Sequence, residues 1–405
     1  MVNPPEQLAI DATAGAGCAA PSGSLSLYVH IPFCRHRCAY CDFNTYTSLS
    51  DLKEAYAAAL CQEITQVAGS IRRPAHTIFF GGGTPSLMPA DSLADIVQTA
   101  CACFDLATDA EITLEANPGT VTRPYLEALR QLGVNRLSFG VQSAVPAELA
   151  LLEREHSFAD VEEAVGMSRD AGIHNLNLDL IYGLPGQTLR AWETSLAAAL
   201  ALQPPHLSLY CLIIEPGTPM HRWLHNGQIA PPDPDLAADQ YECARHMLAA
   251  HGYSHYEISN WALPGYECAH NLAYWRNQEY LGFGAGAHGH AAGYRYSVVK
   301  QPRVYIRRLR QEPPRPYPLS AAAADSYLLT REQAMADTII TQLRLLQSGL
   351  DLAAFAAKFD QTVAEVYNDT VIELIQWGLL RETEGYLRLT ERGYFLSNQL
   401  FYRFL

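Results

Sequence analysis

Apolar residues in the first half of the chain follow two patterns that alternate along the sequence. Short runs rich in β-branched and aromatic residues predict strands, and between them apolar residues recur every three to four positions, which is typical of one face of a helix. Leu52, Tyr56, Leu60, Ile64 and Val67, for example, share such a face. Strands are predicted over 25–31, 76–80, 111–115, 135–142, 174–182 and 206–214, and helices over 51–67, 92–104, 122–133, 158–171 and 188–202.

Six strands with helices between most of them are the pattern of a parallel sheet with crossover helices. Loops with unusual composition follow the first five strands, and they read HIPFC, GGGTP, EANPG, GVQS and DLIYGLP. Because the carboxyl ends of parallel strands share one edge of the sheet, we expect these loops to build a single site there.

The pattern changes in the second half of the chain. One more helix is predicted over 236–252, followed by an aromatic, strand-like segment over 252–263 and a proline-rich linker over 313–318. Helices over 331–346, 350–359 and 362–378 and a β-hairpin over 379–390 then predict a winged-helix-like domain. The predicted organisation is a flexible tail over 1–24, a core over 25–225, a barrel-closing extension over 226–312 and a C-terminal domain over 319–405.

Composition and charge exclude some classes of function. The chain has 405 residues, of which 49% are hydrophobic, as in a globular protein, and its net charge is −14. A field of that sign repels phosphate backbones, so nucleic acid is not an expected partner, even with a winged-helix-like domain. No charge-free apolar run of about 18 residues occurs, so no transmembrane segment is predicted.

The ten cysteines are too few for a disulfide scaffold. Residues 1–24 contain no Lys, no Arg and no apolar run, so we expect no signal peptide and predict a cytoplasmic protein with reduced thiols. Cys61, Cys211, Cys243 and Cys268 are predicted to be ordinary buried thiols.

Cys34, Cys38 and Cys41 form a C-x3-C-x2-C motif directly after the first predicted strand. No second CxxC pair exists to complete a paired zinc site, and the spacing differs from that of ferredoxins. Three thiolates on one tight loop suit a [4Fe–4S] cluster with one iron open to an outside ligand. Arg35 and Arg37 are expected to favour thiolate over thiol.

The chain resembles the radical S-adenosylmethionine (radical SAM) proteins, and in particular the anaerobic coproporphyrinogen III oxidase family, in the segments LYVHIPFC, FFGGGTPSL, NRLSFGVQS and NLDLIYGLPGQT. The resemblance spans residues 25–390. It implies an α/β fold, namely a partial (β/α)6 TIM-like barrel with a C-terminal helical, winged-helix-like domain. It also implies a [4Fe–4S] cluster held by the three cysteines and S-adenosylmethionine bound to the open iron.

The resemblance further implies which residues bind the cofactor. They are Tyr28, Tyr40, Gly83, Thr84, Glu115, Gln142, Arg154 and Asp179. The carboxylates suit an ammonium group or ribose hydroxyls, and Arg154 suits a carboxylate. The missing Cβ atoms of the glycines at 81–83 are expected to let the methionyl end of the cofactor approach closely. The segment LGFGAGAHG, at 281–289, is expected to be a loop that closes the barrel edge.

Two departures from the oxidase pattern bear on the function. Cys41 is followed by Asp42 and Phe43, where the oxidases typically continue to a fourth cysteine, and only about 24 residues precede the first strand. Together with the HNxxYW segment at 270–275, these features resemble the haem-chaperone branch of the family. The implied partners are haem, a haem-acceptor protein and an electron donor to the cluster.

Three functions therefore stay open from the residues: a haem chaperone, an oxygen-independent coproporphyrinogen III oxidase, and a radical enzyme acting on an unrelated substrate. Whether the chain is an enzyme is not decided by the sequence. His270 is the candidate haem contact, because a neutral imidazole is a common iron ligand. A histidine followed by aromatic residues is more often packed or hydrogen-bonded, however, and His288 and His290 are rivals.

Overall fold

The computed structural model describes residues 23–69, 71 and 73–405. Most of the predicted N-terminal tail, including Cys18, lies outside these residues. Six parallel strands stand at the centre, and each is hydrogen-bonded to the next. They are β1 (Leu25–Ile31), β2 (Pro74–Gly82), β3 (Asp105–Ala116), β4 (Arg136–Gln142), β5 (Asn175–Tyr182) and β6 (His206–Cys211). The predicted α/β fold with parallel strands is confirmed.

Helices connect these strands and cover the outer face of the sheet. They are α1 (Lys53–Ala68), α2 (Ala90–Cys103), α3 (Arg123–Gln131), α4 (Pro146–Leu151), α5 (Phe158–Asp170) and α6 (Leu189–Ala201). Their starts follow local chemistry: Ser157 and Asp160 form a capping box at α5, and the Thr188 side chain accepts a hydrogen bond from the backbone of Ala191 at α6. Apolar residues on the inner helix faces and on the strands form one large core. The short helix α4 was not predicted.

The extension that follows β6 enlarges the sheet at both edges. Its elements are α7 (Pro219–His225), α8 (Pro234–Ala250), β7 (Ser254–Glu257), β8 (Asn260–Ala262), α9 (Ala269–Trp275), β9 (Tyr280–Phe283), β10 (His288–Ala291), β11 (Tyr294–Val298), α10 (Pro302–Gln311) and β12 (Ala323–Leu328). The twelve strands of the sheet lie in the order β12-β11-β10-β9-β1-β2-β3-β4-β5-β6-β8-β7.

The segment 281–289 is therefore not simply a loop. Its first residues belong to β9, which pairs in parallel with β1, and its last residues begin β10. Glycine is needed where these strands approach each other, because a Cβ atom on Gly282 would lie 1.9 Å from the carbonyl oxygen of His288. The glycine pattern that suggested a loop reflects this close backbone packing.

The C-terminal residues form a smaller unit with a separate apolar core. Its elements are α11 (Arg331–Gln342), β13 (Leu350–Asp351), α12 (Leu352–Phe359), α13 (Val363–Gln376), β14 (Leu380–Thr383), β15 (Tyr386–Leu389), α14 (Glu391–Phe395) and α15 (Ser397–Phe401). The hairpin of β14 and β15 turns at Glu384 and Gly385, as predicted, and β13 extends it to three strands. No helix in the described part of the chain is long and apolar enough to cross a membrane.

Candidate functional site

A cavity of about 490 Å³ lies inside the curve of the parallel strands and opens at their carboxyl ends. The loops after β1, β2, β3 and β4 contribute to its wall, as expected for a site at this edge, whereas β5 contributes only residues of the strand itself and the loop after β6 also takes part. All of the predicted site residues line it: Tyr28, Cys34, Cys38, Tyr40, Cys41, Gly83, Thr84, Glu115, Gln142, Arg154, Asp179 and His270. The structure thus brings these residues together, while their individual roles stay predictions.

The cysteine motif lies on a loop that backbone hydrogen bonds hold in place. The N–H of Cys34 donates to the carbonyl of Tyr46 at 3.1 Å, and the N–H of Cys41 donates to the carbonyl of Cys38 at 3.1 Å. Two side chains from other loops reach the sulfurs: Thr84 Oγ1 lies 3.6 Å from Cys34 Sγ, and Arg154 Nη1 lies 3.4 Å from Cys38 Sγ. The three thiols therefore share one rim of the cavity with donors beside two of them.

Burial disfavours the ionised form of two of the three thiols. Burial raises the pKa of Cys34 and of Cys41 above the ordinary value, and Arg37 offsets only a small part of the effect at Cys41. Arg35 donates instead to the carbonyl of Gly119, at 3.4 Å. Arg37 thus favours the thiolate of Cys41, as expected, although burial is the larger effect, and an influence of Arg35 on the thiols stays a prediction. Metal binding would have to displace the protons.

The thiol arrangement suits a cluster better than a single ion. Among the described residues, no three Cys, His, Asp or Glu side chains converge closely enough to hold one metal ion. Thiolates that bind different irons of a [4Fe–4S] cluster are further apart than thiolates that share one ion. Three half-buried cysteines on one loop, facing a cavity, fit such a cluster.

Glycine is required at position 83 by close backbone packing, which was not predicted from the sequence. A Cβ atom there would lie 2.8 Å from the carbonyl oxygens of both Ile31 and Phe33. Only glycine lets the loop after β2 pass this close to the end of β1, and the N–H of Gly83 donates to the carbonyl of Ile31 at 2.8 Å. The predicted contact of Gly83 with a cofactor stays a prediction.

Two buried carboxyl groups face the cavity from β3 and β5. Glu115 accepts a hydrogen bond from the N–H of Gly82 at 3.0 Å, and burial, together with the negative charge of Asp179, raises the pKa of Glu115 to about 7. Asp179 accepts from Ser138 Oγ at 3.1 Å and from Asn177 Nδ2 at 2.8 Å, and burial raises its pKa too. A cationic ligand between them would stabilise the ionised form of both groups.

Arg154 connects three loops of the site. Its Nη2 donates to Asn117 Oδ1 at 2.6 Å and to the carbonyl of Gly140 at 2.5 Å, while Nη1 reaches Cys38. Its Nε is buried and has no hydrogen-bond partner among the described residues. Gln142, at the end of β4, has a left-handed backbone with φ of 70°, which turns the chain at the cavity wall. An arginine with a spare donor beside the cluster loop suits the carboxylate of a ligand.

His270 is packed into the cavity wall. Its side chain is 1% exposed, its Nδ1 lies 2.7 Å from Thr77 Oγ1, and its Nε2 lies 2.9 Å from the hydroxyl of Tyr274. Burial lowers the pKa of His270 to about 3. Both ring nitrogens already have partners, so this geometry favours the hydrogen-bonded interpretation, and iron ligation by His270 stays a prediction that requires one of these bonds to break. His290, by contrast, has a buried Nδ1 without a hydrogen-bond partner among the described residues.

The cavity mouth carries exposed apolar residues that were not predicted. Phe43 and Ile213 are 62% and 64% exposed, and Tyr210 and Cys211 lie beside Ile213. Cys211 was predicted to be a buried thiol in a strand running to 214. That prediction is wrong, because β6 ends at Cys211 and leaves its side chain at the mouth. Of the four thiols predicted to be buried, only Cys268 is fully buried, while Cys61 and Cys243 are half-buried.

The cavity also has a polar floor that was not predicted, formed by Arg136, Asn177, His206, Ser208 and Asn260. A signal was present in the strands themselves. Strands of a parallel sheet that are buried on both faces normally read as continuous apolar runs. Here β4, β5 and β6 read RLSFG, NLNLD and HLSLY, with a polar residue at alternate positions. Such alternation places polar side chains inside the barrel.

Comparison with known proteins agrees with the sequence motifs. The model of the radical SAM superfamily matches residues 28–199, and the model of the HemN C-terminal domain matches residues 329–396. The heme chaperone HemW of Bacillus subtilis is 37% identical over 382 residues, covering 94% of this chain and 99% of that protein. The heme chaperone HemW of Escherichia coli is 36% identical over 390 residues, covering 94% and 98%.

A solved structure shows the same architecture over nearly the whole chain. Coproporphyrinogen III oxidase (HemN) from Escherichia coli, a radical SAM enzyme, aligns with a TM-score of 0.82 at 25% identity. The alignment covers 96% of this chain and 91% of that one. Barrel, extension and C-terminal unit are thus common to both proteins.

Proposed function

The chain belongs to the family of the heme chaperone HemW, within the radical SAM superfamily, and on this basis we propose that it binds haem and passes it to an acceptor protein. The observation that carries the proposal is the identity of 36 to 37% to HemW proteins over 94% of the chain. Phe43, at the position where the oxidases typically have a fourth cysteine, supports the same choice.

The radical SAM family implies a [4Fe–4S] cluster and S-adenosylmethionine. We propose that Cys34, Cys38 and Cys41 hold the cluster, with one iron left open. When bound, the cluster supplies an electron for reductive chemistry on S-adenosylmethionine. Arg154 would hold the carboxylate of this cofactor, because its guanidinium is fixed beside Cys38 and has a free Nε donor.

The remaining predicted residues would form the rest of the cofactor site. Glu115 and Asp179 offer carboxylates for the ribose hydroxyls or the ammonium group, at a place where burial disfavours their charge in the absence of a cation. Tyr28, Tyr40, Thr84 and Gln142 complete the wall, and of these Tyr28 and Tyr40 present rings suited to stacking.

The mouth of the cavity suits a porphyrin. Phe43, Tyr210 and Ile213 present apolar surface to solvent at the opening of a polar cavity, which is an arrangement that a flat apolar ligand with polar edges would cover. The acceptor protein would meet the haem from this open side. We place the protein in the cytoplasm, where an electron donor to the cluster would also be found.

A paired experiment distinguishes a chaperone from an oxidase. The cluster is reconstituted under anaerobic conditions, and haem binding and conversion of coproporphyrinogen III are then measured on the same preparation with S-adenosylmethionine and a reductant. We expect stoichiometric haem binding without turnover. Sustained formation of protoporphyrinogen IX would contradict the chaperone assignment, and the absence of haem binding would contradict it as well.

Substitution of a thiol tests the proposed cluster ligands. Cys38→Ser should abolish the visible absorbance of the reconstituted cluster and lower the bound iron, because a hydroxyl does not replace a thiolate ligand. Cys211→Ser is the matched control, since Cys211 also lines the cavity but lies on β6. Equal loss of absorbance in both variants would show that the cluster lies elsewhere.

A further inference from the structure

Arg136 is an arginine buried inside the barrel without an ion pair. Its residue is 2% exposed, and it lines the floor of the cavity at the start of β4. Its Nε has no hydrogen-bond partner among the described residues, and Arg136 takes part in none of the ion pairs between them. A buried, unpaired cation is costly, and it is normally matched by an anion.

The nearest acidic groups of the chain already have other partners. Three carboxyl groups interact electrostatically with Arg136, namely those of Glu111, Asp179 and Glu115, and Glu115 accepts a hydrogen bond from the N–H of Gly82. The Glu111 carboxylate accepts the first two backbone N–H groups of α9, each at 3.0 Å, and Asp179 accepts from side chains of β4 and β5. None of the three is free to turn towards the guanidinium without leaving buried donors unpaired.

The other residues of the floor are neutral. Burial lowers the pKa of His206 well below its ordinary value, so its imidazole carries no charge. His206 Nδ1 lies 2.6 Å from Asn177 Oδ1, and Ser208 Oγ donates to the same oxygen at 3.1 Å. The floor is thus a preformed polar chamber with one guanidinium that forms no direct ion pair among the described residues, and it opens into the cavity lined by the predicted site residues.

We infer that Arg136 receives a carboxylate of the ligand that fills this cavity and, resting on the proposed function, that this carboxylate is a propionate of the bound haem. The planar guanidinium fits a carboxylate in a bidentate manner, and such charge-assisted hydrogen bonds are strongest where water is excluded. The macrocycle would then have its acidic edge inside the barrel and its apolar surface near the mouth.

The carboxylate of S-adenosylmethionine would bind a different arginine, at a different level of the barrel. The proposed partner of that carboxylate, Arg154, is bonded to the carbonyl of Gly140 and to Cys38. Gly140 is four residues further along β4 than Arg136, which is roughly 13 Å along a strand. One arginine at the start of β4 and one bonded near its carboxyl end therefore suit two carboxylates, one of the cofactor and one of the cargo.

Binding of haem and of haem dimethyl ester tests this assignment, because the ester has no free carboxylate. Both ligands are titrated into the wild-type protein and Arg136→Gln, with absorbance in the Soret region as the readout. We expect Arg136→Gln to weaken haem binding by roughly 10- to 100-fold. The affinity for the ester should be the same in both proteins. Arg222→Gln, which removes an exposed arginine, should leave both affinities unchanged.

A second variant and a second ligand make the result decisive. Arg136→Lys keeps the positive charge but lacks the planar guanidinium that binds a carboxylate in a bidentate manner, so it should bind haem with intermediate affinity. It replaces Arg136→Gln if circular dichroism shows that Arg136→Gln does not fold. Equilibrium dialysis with S-adenosylmethionine on the reconstituted protein should show no difference between wild type and variants.

Three outcomes would overturn the inference: unchanged haem affinity in both variants, an equal loss for haem and its ester, or a loss confined to S-adenosylmethionine. The first would show that Arg136 does not contact the cargo, and the second that it acts through the fold. The third would assign it to the cofactor. Failure of the wild-type protein to bind haem is a separate result, which contradicts the proposed function before any variant is compared.

Discussion

The raised pKa of Glu115 indicates that its site suits a cationic ligand. Its carboxyl group is buried beside Asp179, and its pKa is raised to about 7 from the ordinary value of 4.5. Near neutral pH the group is therefore poised between its two forms. A cation bound between Glu115 and Asp179 would favour the ionised form of both, so cofactor binding and deprotonation are expected to be linked.

The substitution Glu115→Gln should stabilise the cofactor-free protein at alkaline pH. The folded state holds a proton that the unfolded chain releases, so the stability contributed by this group is full below pH 4.5 and is lost as the pH rises through about 7. Glutamine cannot ionise and keeps an acceptor for the N–H of Gly82. The free energy of unfolding should thus rise by on the order of 3 kcal/mol at pH 8 and by little at pH 4.5.

Urea unfolding at several pH values measures this difference. Exposed Glu162→Gln is the control, for which we expect no pH-dependent change. A stabilisation by Glu115→Gln that is the same at pH 4.5 and at pH 8 would show that the effect is one of packing rather than of charge.

Single residues of the site were predictable to different degrees. The cysteine cluster followed from spacing alone, and the cofactor-site residues followed from the resemblance of whole segments to a family. Arg136 lies in the segment NRLSFGVQS but was given no role by the resemblance, and His206 lies in none of the quoted segments; only the barrel brings the two together, since they lie on different strands. Cys211 was misjudged because the apolar run at 212–214 looks like a continuing strand, although the ladder has already ended.

At the scale of elements, one buried carboxyl group on α1 accepts hydrogen bonds from three segments of the extension. Glu63 accepts hydrogen bonds from the N–H of Gly284 at 2.8 Å, from the hydroxyl of Tyr305 at 2.7 Å and from Ser320 Oγ at 2.6 Å. These donors lie after β9, on α10 and before β12. Burial raises the pKa of Glu63, and the hydrogen bonds oppose that shift.

Glu63→Leu should lower the free energy of unfolding by about 3–5 kcal/mol, because three buried donors lose their acceptor at once. Glu63→Gln, which keeps an acceptor oxygen, should cost much less. Exposed Glu54→Leu on the same helix is the control and should change stability little. Chemical unfolding followed by far-UV circular dichroism gives these values, and similar losses for Glu63→Leu and Glu54→Leu would contradict this role of Glu63.

The elements themselves were predicted unevenly, for a physical reason. Strands β1 to β6 are apolar enough and long enough to be visible in the sequence. Strands β9 to β12 are short, and β9 and β10 contain glycines. Their formation depends on pairing with β1 and with one another, and β1 lies more than 240 residues earlier in the chain. Such non-local pairing leaves little trace in local periodicity.

At the scale of the whole molecule, a partly buried ion pair joins the C-terminal unit to the barrel. Arg344, just after α11, lies 3.5 Å from Glu257 Oε2 at the end of β7, and the Glu257 side chain is fully buried. The guanidinium also stacks on Trp275, at 4.2 Å from the ring centroid. Since Trp275 ends α9, the helix that carries His270, this junction connects the C-terminal unit to the cavity wall.

Removing one partner of this pair should cost more than removing both. Arg344→Met leaves the Glu257 carboxylate buried without its counter-charge, so the free energy of unfolding should fall by roughly 3 to 5 kcal/mol. Burial already raises the pKa of Glu257, and Arg344 opposes that rise. The loss in Arg344→Met should therefore be largest at alkaline pH and shrink in acid, where the carboxyl group takes up a proton. The double variant Arg344→Met/Glu257→Gln should recover most of the stability.

A double-mutant cycle in urea at pH 6 and pH 8 measures the coupling between Arg344 and Glu257. Strictly additive losses at both pH values would show that the two side chains do not act as a pair.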